Sequence, residues 1–233
     1  MEKKLSIIGV DAYGKAMLQE LGGRGFRFIN CVNMEDNGNG SFDESALATE
    51  LNDNDLAFVV ANNCSAYSAK IAQYCKSLGI LTLGLLPDAD AAKQFLDCAD
   101  SAMVVNSVAD VESIGVMIHH MAYLPGHINI DIVDVRAVLK NSGLFYFGIG
   151  TAEGNDRCIA ATQAAVDGVN IKPDNIIVVV SSSNEYAFTI GELTKLNDYL
   201  QTKFPKSDIL WGNNTDVALD KEIRVSVLLG SKR

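Results

Sequence analysis

Residues 127–141 have the sequence HINIDIVDVRAVLKN, in which Asn129, Asp131 and Asp134 interrupt a segment rich in Ile and Val. A carboxylate buried among such residues costs free energy unless it is paired or hydrogen-bonded. The end of the segment, VDVRAVLKN, has a helical pattern, and Asp131 or Asn129 is a suitable cap for the start of that helix. Capping is therefore one way in which these polar groups are compensated.

The composition indicates a globular protein without a nucleic-acid surface. The chain has 233 residues, of which 48% are hydrophobic, enough for one large core or two smaller ones. A net charge of -10 disfavours nucleic acid and anionic membranes as partners. The five cysteines are widely spaced, which indicates reduced thiols and no metal site. The first apolar run ends at Asp11, too early for a signal peptide, and we expect a cytoplasmic protein.

Apolar runs alternate with helical patterns through the first half of the chain. Five short apolar runs indicate buried strands of a parallel sheet: KLSIIGV, FRFINCV, LAFVVAN, GILTLGLL and SAMVVN. The segments between them have helical composition: KAMLQELGG, SALATEL, YSAKIAQYCKSLG and ADAAKQFLDCA. This alternation predicts a doubly wound α/β sheet.

The order of elements changes after the Pro-Gly pair at residues 125 and 126. The second half predicts three helices, in VDVRAVLKN, NDRCIAATQAAVDG and TIGELTKLNDYLQTKF, and four strands, in GLFYFGIG, NIIVVVSSS, DILWGNN and EIRVSVLLG. We therefore expect an α/β domain over 1–124, ending in a short connecting helix near 107–124, and an α+β domain over 125–233. We expect that the two domains do not share one continuous sheet.

The turn after the first predicted strand resembles a phosphate-binding loop in part. In GVDAYGKAM, Gly9, Gly14 and Lys15 satisfy most of the G-x-x-x-x-G-K spacing, but Ala16 stands where a Ser or Thr would hold magnesium. The alternative is a plain turn between a strand and a helix. The corresponding turn after the third strand, in VVANNCSAYSAK, contains no glycine.

A longer stretch carries a family resemblance. Residues 124–166, LPGHINIDIVDVRAVLKNSGLFYFGIGTAEGNDRCIAATQAAV, closely resemble the activation-domain segment of FtsZ, the bacterial tubulin homologue of the cell-division ring, where PGLINVDFADVRTVM precedes a Gly-Thr-Gly turn and an EDRA helix. The matching residues are Asn129, Asp131, Asp134, Arg136, Gly148, Gly150, Gly154, Asp156 and Arg157. The resemblance continues through DILWGNNTD and EIRVSVLLG. It implies a divergent, shortened member with a Rossmann-type parallel sheet domain followed by an α+β activation-type domain.

The resemblance also implies a role for the acidic segment. In FtsZ and tubulin the active site is split, because one subunit binds GTP and the next inserts a loop whose acidic residues polarise the attacking water. By resemblance, Asn129, Asp131 and Asp134 are that donated loop. Their side chains are then expected on the surface of the subunit, whether or not catalysis is retained.

The departures from the family pattern lie in the nucleotide pocket. Where the family has GGGTGTG in the turn after the third strand, this chain has NNCSAYS at residues 62–68, and side chains there restrict the backbone near an anion. Asp11 places a negative charge where phosphates are expected. The residues that match the pocket by resemblance are Gly9, Gly14, Lys15, Asn62, Asn63 and Ser65. We expect no bound cofactor, although GTP stays possible, and no GTP hydrolysis.

Three functions remain open on the sequence alone. The first is association with FtsZ or with another copy of the chain through a filament-type interface, without a membrane anchor of its own. The second is a divergent GTPase that still holds GTP with Lys15. The third is a small-molecule domain that reuses the emptied cleft, lined by Asn62, Asn63, Ser65 and Tyr67.

Overall fold

The structure is a computed structural model that describes residues 5–23, 29–35, 40–123, 130–140, 142–169 and 172–232. The chain forms two compact units. The first contains the residues up to Gly115 together with Leu139–Phe145, and the second contains Val116–Val138 together with Tyr146–Lys232.

The first unit is built on parallel strands whose side chains are buried. Its elements are β1 (Leu5–Gly9), α1 (Ala12–Gly23), β2 (Asn30–Asn33), α2 (Glu44–Glu50), β3 (Leu56–Val60), α3 (Ala66–Ser77), β4 (Leu81–Leu86), α4 (Ala89–Phe95) and β5 (Ser101–Val104). The strands lie in the order β2-β1-β3-β4-β5, all parallel. Every residue of β1, β3 and β4 is buried, as expected where helices cover a parallel sheet. A further helix, α5 (Val108–Tyr123), begins in this unit.

The second unit has a mixed sheet. Its elements are α6 (Ile132–Leu139), β6 (Ser142–Ala152), α7 (Arg157–Ala165), β7 (Asn175–Ser182), α8 (Ile190–Lys203), β8 (Asp208–Thr215) and β9 (Ile223–Lys232). Strand β7 pairs with β8 in parallel and with β9 in antiparallel orientation. Side chains of α7 and α8 form a buried core with one face of these strands, including Leu196, Leu200 and Phe204.

The structure confirms the predicted fold class and the order of the elements within the described residues. The strand order of the whole sheet is β2-β1-β3-β4-β5-β6-β9-β7-β8. The expectation that the two halves share no sheet is therefore wrong: β6 is a long strand whose first residues pair with β5 in the first unit and whose later residues belong to the second. The predicted domain boundary at residues 124 and 125 lies outside the described residues and stays a prediction. In the part of the chain that the structure describes, no helix combines the length and the apolar character needed to cross a membrane.

Candidate functional site

Asp11 links two turns at the carboxyl ends of neighbouring strands. It stands between β1 and α1, and its Oδ1 accepts a hydrogen bond from the backbone N–H of Gly14 at 2.9 Å. Its Oδ2 accepts a hydrogen bond from the backbone N–H of Asn62, in the turn after β3, at 2.7 Å. The N-terminus of a helix favours negative charge because its first N–H groups have no partner within the helix. The Asp11 carboxylate therefore satisfies amides that an external anion could otherwise bind.

Gly9 and Gly14 are explained by packing between α1 and the sheet. A Cβ added to Gly14 would lie 2.2 Å from the carbonyl oxygen of Val60 in β3. A Cβ added to Gly9 would lie 2.8 Å from the carbonyl group of Gly14. Both distances are too short for a side chain, so glycine lets the helix approach the strands. Their role in binding a nucleotide stays a prediction, and their presence has a reason that involves no phosphate.

Lys15 is paired with a carboxylate from the next turn. Its Nζ lies 2.5 Å from Oε1 of Glu35, which follows β2, and both side chains are exposed. The hydrogen bond from Lys15, and then its charge, lower the pKa of the Glu35 carboxyl group from its ordinary value. The hydroxyl group of Tyr67 donates to the carbonyl oxygen of Glu35 at 2.7 Å, which holds this turn in place.

The turn after β3 caps the helix that follows it. The backbone N–H of Ser68 donates to Oγ of Ser65 at 3.1 Å, so Ser65 is the N-cap of α3. The hydroxyl group of Ser68 donates to the carbonyl oxygen of Asn63, also at 3.1 Å. Asn62 and Asn63 are exposed. The first turn of α3 thus has a capping partner within the chain, as that of α1 does.

These turns surround a cleft of about 500 Å³ at the carboxyl ends of β1, β2 and β3. This is where open α/β sheets bind ligands, and the volume lies within the roughly 300–1,000 Å³ of small-molecule pockets. It is lined by Val10, Asp11, Ala12, Lys15, Met34, Glu35, Asn63, Ser65 and Tyr67. Two carboxylates and one ammonium group give this lining a formal charge of -1. The cleft has room for a ligand, but its charge does not favour a polyanion.

In the second unit, Asp131 and Asp134 cap the start of α6 reciprocally. Oδ1 of Asp131 accepts the backbone N–H of Asp134 at 2.9 Å, and Oδ2 of Asp134 accepts the backbone N–H of Asp131 at 3.3 Å. This is the pattern of a capping box. Both residues are exposed, and Val133 between them is 67% exposed. The capping interpretation is confirmed for Asp131, whereas Asn129 lies outside the described residues.

Comparison of the sequence with known proteins finds relatives that share part of their length with this chain. No family model matches the chain. Mitochondrial division protein fszB of Dictyostelium discoideum is 31% identical over 148 residues, which are 60% of this chain and 39% of that protein. Cell division protein FtsZ of Wolbachia pipientis is 28% identical over 137 residues, 56% of this chain and 42% of that protein. The matched segments thus span about two fifths of the length of these relatives.

Solved structures match the fold over nearly the whole chain. An empty FtsZ dimer from M. jannaschii superposes with a TM-score of 0.77 at 16% identity, covering 99% of this chain and 89% of that one. The GTPγS-bound CetZ2 protofilament from Haloferax volcanii gives a TM-score of 0.70 at 15% identity, covering 99% and 93%. At these identities the structural likeness is one of fold, and the sequence relatives point to the same family. The chain is thus similar in sequence and in fold to proteins of the tubulin/FtsZ family.

The sequence located much of the cleft, but it did not single out Glu35. Lys15, Asn63, Ser65 and Tyr67 line the cleft. Asn62, which was expected in the lining, is not part of it, and neither are Gly9 and Gly14. The binding roles of these residues stay predictions. A signal for Glu35 existed, because it directly follows a strand that is expected beside β1, and such positions share one edge of a parallel sheet. Asp131 and Asp134 belong to the other compact unit.

Proposed function

We propose that this chain is a cytoskeletal or cell-division protein that acts by associating with an FtsZ subunit or with another copy of itself, without turning over GTP. The relatives supply the context: two are named as division proteins, and CetZ2 was solved as a protofilament. Because the sequence matches span only part of those relatives, their activities enter here as part of the proposal. A cytoplasmic location likewise stays a prediction.

The observation that carries the proposal is the pair of hydrogen bonds to Asp11. By family resemblance, the turns after β1 and β3 are where backbone amides contact the phosphates of GTP. Here one amide from each turn donates to a carboxylate of the chain itself. Two unit charges 4 Å apart repel by about 4 kcal/mol at an effective dielectric constant of about 20, roughly a thousandfold in affinity. A phosphate group would have to displace Asp11 or accept that repulsion.

Two further contacts support the same proposal. Lys15, the cation best placed for a phosphate, is held by Glu35. Ser65 already caps α3, so the second helix N-terminus at the cleft also has a partner within the chain. A second candidate function rests on the cleft itself, since about 500 Å³ of space with Asn63, Ser65 and Tyr67 in its lining suits an uncharged polar small molecule.

Equilibrium binding of a fluorescent GTP analogue tests the pocket. We expect no saturable binding by the wild-type chain, because Asp11 occupies the amides. Asp11→Asn is the informative variant, since it keeps an oxygen acceptor and removes the charge. Micromolar binding by the wild type, with phosphate release that rises with protein concentration, would show that the divergent-GTPase alternative is correct.

Mixing with an FtsZ from the same cell tests the association. Asp131, Val133 and Asp134 are exposed at the start of α6, the segment that the family resemblance assigns to the donated loop. We expect the wild type to change filament length or GTP turnover of the FtsZ, or to assemble alone in sedimentation. Asp131→Asn/Asp134→Asn keeps acceptors for the helix cap and removes both charges, and we expect it to be weaker. No effect of the wild type in stoichiometric excess, together with a monomeric state alone, would refute the association.

A further inference from the structure

A second concave surface lies in the second unit, next to the first residues of β7 and β8. It encloses about 250 Å³ and is lined by Lys172, Pro173, Lys203, Phe204, Pro205, Lys206 and Ser207. We call it the lysine groove. Its volume is below the roughly 300–1,000 Å³ of pockets that enclose whole small molecules. It suits one or two side chains of a larger ligand better than a complete cofactor.

The charge of the lysine groove contrasts with that of the chain. The whole protein has a net charge of -10, yet three lysines line this one groove. All three are exposed, and none of them forms an ion pair with a carboxylate of the described residues. Four lysines elsewhere do form such pairs: Lys15, Lys76, Lys93 and Lys195. The groove therefore brings together three lysines that form no direct ion pair within the described residues.

The apolar part of the groove is held rigidly. Phe204 is only 7% exposed and belongs to the core of the unit. The Nζ of Lys203 lies 5.8 Å from the centre of the Phe204 ring and donates to the carbonyl oxygen of Val166 at 3.5 Å. The hydroxyl group of Ser207 donates to the carbonyl oxygen of Pro173, which ties the two sides of the groove together. A surface that is ordered before binding loses little conformational entropy when a ligand docks.

We propose that the lysine groove docks an acidic peptide segment of a partner protein. An apolar side chain of the peptide contacts Phe204 and the two prolines, and flanking Asp or Glu residues pair with the lysines. The concave shape favours a protruding side chain over a flat lipid surface. The proposal is independent of the proposed function, because every groove residue lies in the second unit and none lines the cleft.

Fluorescence anisotropy with a labelled peptide tests the proposal. The probe is Asp-Glu-Asp-Phe-Asp-Glu-Asp, compared with the same peptide carrying Asn and Gln in place of the acids, and with a Phe-to-Ser version. We expect the acidic peptide to bind more tightly than the other two peptides. Its binding should weaken as the salt concentration is raised, since salt screens exposed charges. Lys172→Glu/Lys203→Glu/Lys206→Glu is expected to weaken binding about tenfold or more, because three attractive pairs become repulsive.

A control with the same change in net charge separates the groove from general electrostatics. Lys93→Glu/Lys140→Glu/Lys221→Glu alters three exposed lysines outside the groove. At physiological salt we expect its affinity for the acidic peptide to stay within about twofold of that of the wild type. Equal losses in the two triple variants, or no binding by the wild type, would overturn the proposal.

Three further measurements distinguish other occupants of the lysine groove. Inorganic triphosphate that displaces the peptide at equal concentration would mean a site for small anions. Wild-type binding to phosphatidylserine vesicles that the groove variant loses would mean a lipid surface. Self-association that only the groove variant loses, measured by sedimentation, would mean that a second copy of the chain is the occupant. Each of these results would overturn the acidic-peptide proposal.

Discussion

Asp11 and Asp131 stand at the start of different helices, but their carboxylates meet different surroundings. Asp11 accepts one N–H from its own helix and one from the turn after β3, so it ties together two segments that are far apart in sequence. The carboxylate of Asp131 accepts a hydrogen bond from the backbone of Asp134 in the same turn, and both residues are exposed. The same capping chemistry occupies two backbone amides beside the cleft in one unit and leaves two carboxylates exposed in the other.

The largest effect that we expect concerns the core of the second unit, the unit to which Asp131 also belongs. Arg157 is buried in the second unit and donates to Glu192 at 2.8 Å and to the carbonyl oxygens of Lys221 and Tyr186. Arg157→Met removes the cationic partner of the Glu192 carboxylate, which keeps its hydrogen bonds from Thr189, and removes a donor from the two carbonyl groups. We expect the free energy of unfolding to fall by about 3–5 kcal/mol, measured by urea denaturation.

A surface ion pair on the same helices is the control for that loss. Lys195 pairs with Asp156 at 2.9 Å, and both side chains are mostly exposed. Lys195→Met is expected to change the free energy of unfolding by less than about 1 kcal/mol. If the two variants were equally stable, the Arg157 network would contribute little to the stability of the second unit.

Gly14→Ala tests whether the turn at Asp11 is shaped by packing. The new Cβ would lie 2.2 Å from the carbonyl oxygen of Val60, so α1 must shift. We expect the free energy of unfolding to fall by about 1–3 kcal/mol. Gly22→Ala is the matched control, because its Cβ meets nothing within 4 Å and alanine favours a helix by about 1 kcal/mol. An unchanged stability of Gly14→Ala in thermal melts would contradict the packing explanation and leave phosphate binding as the reason for this glycine.

The caps at Asp11 and Asp131 can be compared by the stability that each contributes. Asp11→Ala leaves the N–H groups of Gly14 and Asn62 without this acceptor. We expect the free energy of unfolding to fall by about 1–3 kcal/mol. Asp131→Ala removes one exposed cap, and we expect the free energy of unfolding to fall by about 1 kcal/mol. Hydrogen exchange at the amide of Asn62 should quicken in the first variant only. Equal losses without a change at Asn62 would remove the distinction between the two caps.

The smallest effect is a pH dependence in the second unit. Burial alone would raise the pKa of Glu192, but hydrogen bonds from Arg157 and Thr189 outweigh it and lower that pKa below its ordinary value of 4.5. The stabilisation is therefore complete above pH 4.5 and is lost as the pH falls through the lowered pKa. In Glu192→Gln this part of the acid dependence should disappear from the unfolding curves. An identical pH profile for variant and wild type would show that Glu192 does not contribute.

Local patterns predicted the elements well where they were strongly periodic. The strand LAFVVAN and the helix TIGELTKLNDYLQTKF appear as β3 and α8 with bounds shifted by one or two residues. The helix predicted through residue 99 ends at Phe95 instead, because Leu96 is its C-cap and the chain turns there. The continuity of the sheet through β6 was missed, since pairing with β5 depends on how distant segments meet.

The sequence by itself determined the order of strands and helices, the family resemblance, and the cap at Asp131, whose partner Asp134 is three residues away. These features depend on periodicity and on neighbours along the chain, which are visible in one dimension. Tertiary structure alone decided that Asp11 bonds to Asn62, 51 residues away, and that Lys15 meets Glu35. Those contacts exist because β1 lies between β2 and β3, which brings the turns after all three strands to one edge of the sheet.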